Sequence, residues 1–342
     1  VWFAGIGWGP EGYDITVVDD AGAPVATSRF AATGIDEPVG FLRSLAERSE
    51  LVSVIDSTNG VLDGSLMAAG LDVYRADPWD TPARPPFGSA SSDALAGLGR
   101  DALARLTRLD IGSGTLGGRD DEADADIERS GPLERRLAAQ GGLLFHGSRA
   151  HPRVALTFDD GPHPVNTPRI LDVLRRYRVP ATFFCVGLHA QAFPDLLRRI
   201  VDEGHLVGNH TWSHPYLPDL SREEVLRQIG RTGEVLGRAG GGTPSLVRPP
   251  YGGRSPEVLD WLAEEGLTTV LWDVEPCDWA MGGAAAIAGQ VVDEADFGSV
   301  ILLHDGGGDR SQTVEALPMI LESMMARGCR FVTVDQLAPL RV

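Results

Sequence analysis

Cysteine is scarce in this 342-residue chain, and no apolar run approaches the ~20 residues that cross a bilayer. Cys185, Cys277 and Cys329 are odd in number, widely spaced and form no Cys-x-x-Cys pair, so they read as free thiols rather than a disulfide framework or zinc knuckle. Positive charge is also short: 30 Lys and Arg against 48 Asp and Glu leave a formal charge of −18. Such a surface repels phosphate backbones and anionic lipid, so neither nucleic acid nor a membrane is an expected partner. A basic leader and a clear small-residue cleavage site are missing from the apolar patch Val1 to Gly9. No export signal is visible, which favours a cytoplasmic protein; a secreted or cell-wall protein follows if the natural beginning was removed.

What is present is the composition of an ordinary soluble protein, 43% hydrophobic and 23% charged, at a length that suits two cores. The first domain is expected over residues 1–111. Strand patterns at Val1–Gly7, Asp14–Val18 and Val25–Ala31 precede helical spacing at Pro38–Arg48, a strand at Leu51–Ile55, a helix at Leu62–Ala69, a strand at Leu71–Tyr74 and a helix at Ser91–Leu106. Residues 112–150 are expected to be a linker. Arg119 to Asp126 is acidic and almost free of large apolar side chains, which predicts a mobile segment, and a short helix at Leu133–Ala139 follows it.

Residues 151–342 form the second expected domain. Its strands are predicted at Val154–Phe158, Ala181–Val186, Leu206–Asn209, Leu246–Arg248, Thr268–Asp273, Val300–Leu303 and Phe331–Val334, with helical segments between them. Seven such repeats predict a parallel barrel with function at the carboxyl ends of its strands.

Polar clusters sit at those ends. Thr157-Phe158-Asp159-Asp160-Gly161-Pro162 leaves the first strand with two carboxylates that point in different directions, one able to bind a metal and the other to act as a base. His210-Thr211-Trp212-Ser213-His214 spaces two imidazoles four residues apart. One turn of helix-like backbone would bring them to a common face, as a zinc site requires. Arg248-Pro249-Pro250-Tyr251-Gly252 has a backbone stiffened by consecutive prolines, suited to aiming the Tyr251 N–H at an oxyanion. Trp272 to Trp279 and Ile301-Leu302-Leu303-His304-Asp305 supply carboxylates beside a histidine that could stay protonated and act as a general acid. Each cluster alone also reads as a turn, a solvated pair or a packing residue; five in this order carry far more weight.

Together they resemble the five motifs of carbohydrate esterase family four, the NodB-homology polysaccharide deacetylases, over residues ~153–340. The resemblance implies a distorted (β/α)7 barrel and removal of acetyl groups from N-acetylated glycans of the chitin or peptidoglycan type. It makes Asp160, His210 and His214 the ligands of one divalent metal, usually zinc, with cobalt or nickel as alternatives. It makes Asp159 the general base, oriented by Arg248; the Tyr251 N–H completes the oxyanion hole; His304 is the general acid, tuned by Asp278; Trp279 and Leu302 wall the acetyl methyl group. Glu275 stands where relatives carry aspartate, which weakens any reading of substrate. His163, His189 and His205 lie near the motifs and are expected to be structural or solvated.

Residues ~1–110 resemble RuvC-like transposase domains of the ribonuclease-H-like α/β fold, on the element order and on Gly5 to Gly9, Val54 to Gly60 and Ser92-Asp93-Ala94. Nuclease chemistry of that type needs carboxylates converging on two metals. Gly7 occupies the position where the first strand should supply one, leaving Asp56 and Asp93, so a catalytically silent scaffold is expected, available for homo-oligomerisation or for shaping the substrate groove. Two other activities fit less well. A hydrolase of a small amide or cyclic ureide on the same barrel is disfavoured by the paired aspartates, and a non-catalytic glycan-binding protein by the presence of every proposed catalytic side chain.

Overall fold

Three runs rich in β-branched and aromatic residues open the chain as antiparallel strands: β1 (Trp2–Gly9), β2 (Gly12–Asp19) and β3 (Pro24–Ala31). In this computed structural model residues 1–9, 12–31, 36–56, 66–67, 69–76, 89–109, 120–280, 282–307 and 310–337 are described. Two units separate, Val1–Glu122 and Ala123–Val342.

In the first unit, Asp19 Oδ1 accepts the backbone N–H groups of Ala21 and Ala23 and so closes the turn between β2 and β3. Helix α1 (Asp36–Ala46), strand β4 (Leu51–Asp56), strand β5 (Asp72–Ala76), helix α2 (Ser92–Ala102) and strand β6 (Thr107–Leu109) follow. The sheet order is β3-β2-β1-β4-β5-β6, with β1, β4 and β5 parallel and the outer pairings antiparallel. Alternation along the strands sends Ile6 and Ile55 into a cluster with Leu42 of α1, and Phe3 and Val54 into another with Leu95 of α2. The expected helix to Leu106 ends at Ala102, because a 3-10 turn at Leu103–Arg105 turns the chain into β6. Most of the helix expected at Leu62–Ala69, all of Ser57 to Gly60 and the Asp56 side chain lie outside the described residues.

The segment expected to be a mobile linker is helical from Asp120: helix α3 spans Asp120–Ala139, and residues 112–119 lie outside the described part. Within it Arg129 pairs with Asp126 at 2.6 Å. Helix α3 is anchored as well, since Leu137 joins a buried cluster with Leu143 and Leu259, and Glu134 holds Arg254 at 2.6 Å.

The remaining strands are β7 (Leu143–Leu144), β8 (Arg153–Asp159), β9 (Thr182–Cys185), β10 (Leu206–Asn209), β11 (Leu246–Val247), β12 (Thr268–Val270), β13 (Val300–His304) and β14 (Arg330–Phe331). They pair in parallel in the order β13-β8-β9-β10-β11-β12-β7, with β14 also on β8. The sheet curls until its ends meet, through a parallel bridge between Val274 and Ile301 and an antiparallel one between His146 and Ser299. This is the expected (β/α) barrel, with β7 added; of the last expected strand, Phe331–Val334, only Phe331 lies in β14, and Val334 opens a short helix, Val334–Leu337. Along β8, Val154, Leu156 and Phe158 join the cluster that contains Ile170, Leu171 and Leu174 of helix α4 (Asn166–Tyr177). Ala155, Thr157 and Asp159 therefore face the barrel axis, and β8 delivers a carboxylate to its mouth.

Candidate active site

Asp159 ends β8 with 3% of its surface exposed. Its partner arrives from β11: Arg248, fully buried, donates from Nη1 to Asp159 Oδ1 at 2.7 Å and to Thr157 Oγ1 at 2.8 Å. Nε and Nη2 of the same guanidinium reach the carbonyls of Val270 and Leu271, and its face lies 4.2 Å from the Phe184 ring centre. Burial pulls Arg248 below its ordinary value and the Asp159 charge opposes this. A guanidinium held at four points fixes one carboxylate orientation.

Asp160 points elsewhere because its backbone is left-handed, φ 74°. Its Oδ1 stands 3.1 Å from His214 Nε2 and 3.4 Å from His210 Nε2, and the three side chains offer donor atoms all within 4.8 Å of one another. Asp160 Oδ1 is buried and faces both imidazole Nε2 atoms, so the three groups converge on a common point. His210 Nδ1 donates to the Arg248 carbonyl at 2.7 Å, which leaves Nε2 as a lone-pair donor toward that point. Two nitrogens and one carboxylate with open positions left over suit a catalytic divalent cation, so the residues fit the group. Among the described residues no second set of three such donors converges. Burial would raise the Asp160 carboxyl, but the His214 charge and its two imidazole neighbours hold it well below the usual carboxylate range.

The two histidines reach one face by a route other than helical spacing. Residues 210–216 contain no helix, and Thr211 and His214 have φ of 67° and 60°. The turn is held by Asn209 Oδ1 accepting from the Thr211 N–H, Thr211 Oγ1 accepting from the His214 N–H, and Gln228 Oε1 accepting from the N–H groups of Trp212 and Ser213. Tyr251, also left-handed at φ 60°, sets its ring edge-on against His214 at 4.6 Å.

On the adjoining strand β13, His304 is the register partner of Asp159. Its Nδ1 lies 2.7 Å from Asp278 Oδ1, while Asp278 Oδ2 accepts the His304 backbone N–H at 2.9 Å and the Thr313 hydroxyl at 2.7 Å. Burial would lower the His304 imidazole, but the Asp278 carboxylate outweighs it and raises the group to about 9. Asp278 is correspondingly lowered by His304 against the opposing effect of burial. Leu302, 3% exposed, lies two residues before His304 on the same face of β13, and Trp279 directly follows Asp278 in a 3-10 turn, partly buried.

Glu275 accepts the Trp272 indole N–H at 2.8 Å, and that indole lies over Arg248 at 5.5 Å. His163 Nδ1 accepts the N–H groups of Val165 and Asn166 at the start of α4; His189 Nδ1 donates to the Asp160 carbonyl; His205 Nδ1 accepts the Ala181 N–H. Sequence reasoning missed Thr157, Thr313, Gln228 and Asp305 as participants. Thr157 and Asp305 stood inside the quoted clusters, whereas Thr313 and Gln228 sit in helices α10 (Ser311–Ala326) and α7 (Arg222–Leu236) and carry no local signal.

A cation site at the mouth of a parallel barrel, flanked by a carboxylate and a protonated imidazole on adjoining strands, defines a metal-dependent hydrolase. Comparison with known proteins narrows the class. The polysaccharide deacetylase pattern matches residues 146–270. A peptidoglycan-N-acetylglucosamine deacetylase of Bacillus cereus is 41% identical over 207 residues, covering 60% of this chain and 97% of that protein. A chitooligosaccharide deacetylase of Sinorhizobium fredii is 43% identical over 191 residues, covering 52% of this chain and 87% of that protein. The crystal structure of the Bc1960 peptidoglycan N-acetylglucosamine deacetylase superposes with a TM-score of 0.58 at 39% identity, covering 60% of this chain and 96% of that one. The chain belongs to the polysaccharide deacetylase family.

Proposed function

We propose that this protein removes acetyl groups from an N-acetylated glycan of the peptidoglycan or chitin type, with zinc at Asp160, His210 and His214. One observation carries the reading: the three converging donors are flanked at adjoining strand ends by Asp159 on Arg248 and by His304 on Asp278. A divalent cation there supplies polarisation of the acetyl carbonyl and a more acidic water. Asp159, held in one orientation by Arg248, takes a proton from the attacking water. The Tyr251 N–H donates to the oxyanion that develops as the water oxygen bonds to carbon. Asp278 keeps His304 protonated until its proton passes to the leaving nitrogen; the C–N bond then breaks, giving acetate and the free amine. Trp279 and Leu302 enclose the acetyl methyl group. The test is acetate release by the metal-loaded protein across peptidoglycan, chitin oligomers, acetylxylan and free N-acetyl sugars. Stoichiometric metal binding with no acetate from any of them would end this reading.

For residues 1–111 we infer a ribonuclease-H-like scaffold without nuclease chemistry, used for self-association or for shaping the substrate groove. The strand order β3-β2-β1-β4-β5 and its mixture of antiparallel and parallel pairings support the fold. Silence is supported at Gly7, where even a Cβ would come within 3.1 Å of the Ala90 carbonyl oxygen and the Ser92 nitrogen. A carboxylate there would displace the start of α2. No cleavage of DNA or RNA is expected with magnesium or manganese, and metal-dependent cleavage would overturn the inference; light scattering on the full chain reads the self-association.

A further inference from the structure

Asp305 directly follows the proposed general acid and is wholly buried. Its hydrogen bonds run to the turn that carries the base and the metal ligand and to the first turn of α4. The N–H groups of Asp305 and Gly306 both donate to the Asp159 carbonyl, at 3.0 and 3.2 Å. Asp305 Oδ2 accepts the Thr167 hydroxyl at 2.5 Å, and Thr167 Oγ1 in turn accepts the His163 N–H at 2.7 Å. The Asp305 backbone thereby holds one end of the turn from Asp159 to His163, and its carboxylate reaches the other end through Thr167.

The packing is close enough to dictate neighbouring residue types. A Cβ on Gly161 would lie 2.0 Å from Asp305 Oδ2, one on Gly306 would lie 2.1 Å from the Asp160 carbonyl oxygen, and one on Gly307 would lie 2.7 Å from Asp160 Oδ2. These are backbone and fixed-carboxylate clashes, so the loop after β13 and the turn after β8 are built as one interlocked piece. The first residues of α4 seat the loop a second time, because the Arg310 N–H reaches Asn166 Oδ1 at 3.5 Å.

We infer that Asp305 is the positioning residue that sets Asp159 and Asp160 at a fixed distance from His304. A peptide bond ties it to the acid, and its carboxylate and N–H tie it to the turn holding base and ligand. Positioning through such outer contacts typically changes metal affinity or activity by ~10–100-fold. The inference rests on the deacetylase reading for its kinetic part alone, since its metal-binding part stands without it.

The experiment compares wild type, Asp305→Asn, Asp305→Ala and Thr167→Val by cobalt titration, by the visible absorption spectrum of the cobalt-loaded protein and by steady-state acetate release. Asp305→Asn keeps an acceptor for Thr167 and is expected to stay within about threefold of wild type in every readout. Asp305→Ala is expected to weaken cobalt binding by ~10-fold or more, to alter the cobalt spectrum and to lower kcat far more than it changes KM. Thr167→Val, which leaves Asp305 in place but cuts its link to His163, is expected to shift the same quantities in the same direction. Adding Thr167→Val to Asp305→Ala should cost less than the two separate effects combined. Wild-type cobalt affinity and spectrum in both Asp305→Ala and Thr167→Val would overturn the inference, as would a kcat loss in Asp305→Ala that Asp305→Asn does not rescue. If Asp305→Ala does not fold, Thr167→Val alone decides. Absence of acetate release by wild type would count against the deacetylase reading and leave the cobalt measurements to judge Asp305.

Discussion

Asp278 grips His304 at two places, its Oδ1 facing the imidazole Nδ1 at 2.7 Å and its Oδ2 accepting the backbone N–H at 2.9 Å. Ring position and ring charge are thereby set by one carboxylate, itself 1% exposed and held by Thr313. With His304 raised to about 9, the imidazole carries its proton at neutral pH. As pH climbs through that value the acid is lost, so kcat/KM is expected to fall on the alkaline side at or below about pH 9, a cation beside Asp160 shifting the limb downward. Asp278→Asn removes the chief cause of the elevation and should move that limb down by ~1–2 units while also lowering the plateau. A limb that stays in place in Asp278→Asn would show that His304 does not set it. The sign for stability is the same: a raised imidazole contributes fully below its ordinary value of 6.5, and the contribution fades as pH passes about 9.

The base can be separated from the cation site. Asp159→Asn keeps an acceptor for Arg248 but has no proton affinity to offer, so acetate release should drop by ~10²–10⁴-fold while metal binding, measured by titration, stays near wild type. Loss of metal together with activity would make Asp159 a ligand instead.

Removing the cation or a ligand should abolish turnover altogether. A chelator is expected to extinguish acetate release, zinc or cobalt to restore it, and His214→Ala or Asp160→Ala to lose high-affinity binding of either metal. Full activity after exhaustive chelation, with metal content measured, would exclude the proposed site.

Arg248→Met should act on the fold as well as on the rate. It strands the Asp159 charge, which is 3% exposed, and removes donors to Thr157, Val270 and Leu271. Breaking a buried pair from one side costs ~3–5 kcal/mol, so a clear fall in thermal midpoint is expected; an unchanged midpoint would show that the pair does not support the fold.

Acid sensitivity has a separate source at His205. Its ring is buried, 8% exposed, and Nδ1 must stay unprotonated to accept the Ala181 N–H at 3.1 Å; burial lowers the group to about 4. The unfolded chain binds a proton near 6.5 while the folded one resists, so stability is complete above 6.5 and declines toward pH 4, by up to about 3 kcal/mol from this group. The stability difference between wild type and His205→Gln, followed by denaturant titration, should shrink over that interval. A constant difference would exclude His205 as the cause.

Much of this site was legible in the chain because its chemistry comes in short contiguous pieces. Asp159-Asp160, His210 with His214, Arg248 to Tyr251 and Leu302 to His304 lie at strand ends, Asp278-Trp279 lies in a 3-10 turn beyond β12, and the order of the strands around a parallel barrel follows the order of the repeats. Period and composition also located the first three strands and the α/β alternation of both units. The first part of helix α3, ahead of the short helix expected at Leu133–Ala139, escaped because its residues have no apolar stripe; the helix is anchored by Leu137 and Glu134, which meet Leu259 and Arg254 more than a hundred positions away. Strand β7 escaped because two residues carry no period.

What local order could not contain is direction. Asp160, Thr211, His214 and Tyr251 all adopt left-handed backbone conformations, strain that only the surrounding packing can hold, and those angles decide which way each donor points. The partners that orient the reacting groups lie across the barrel: Arg248 meets Asp159 from 89 residues away, and Thr313 meets Asp278 from 35. The sequence by itself determined which chemical groups this protein brings to its strand ends. Closing the barrel decided which of them touch, because contacts between distant residues exist only once the curled sheet has set their distances and excluded water from between them.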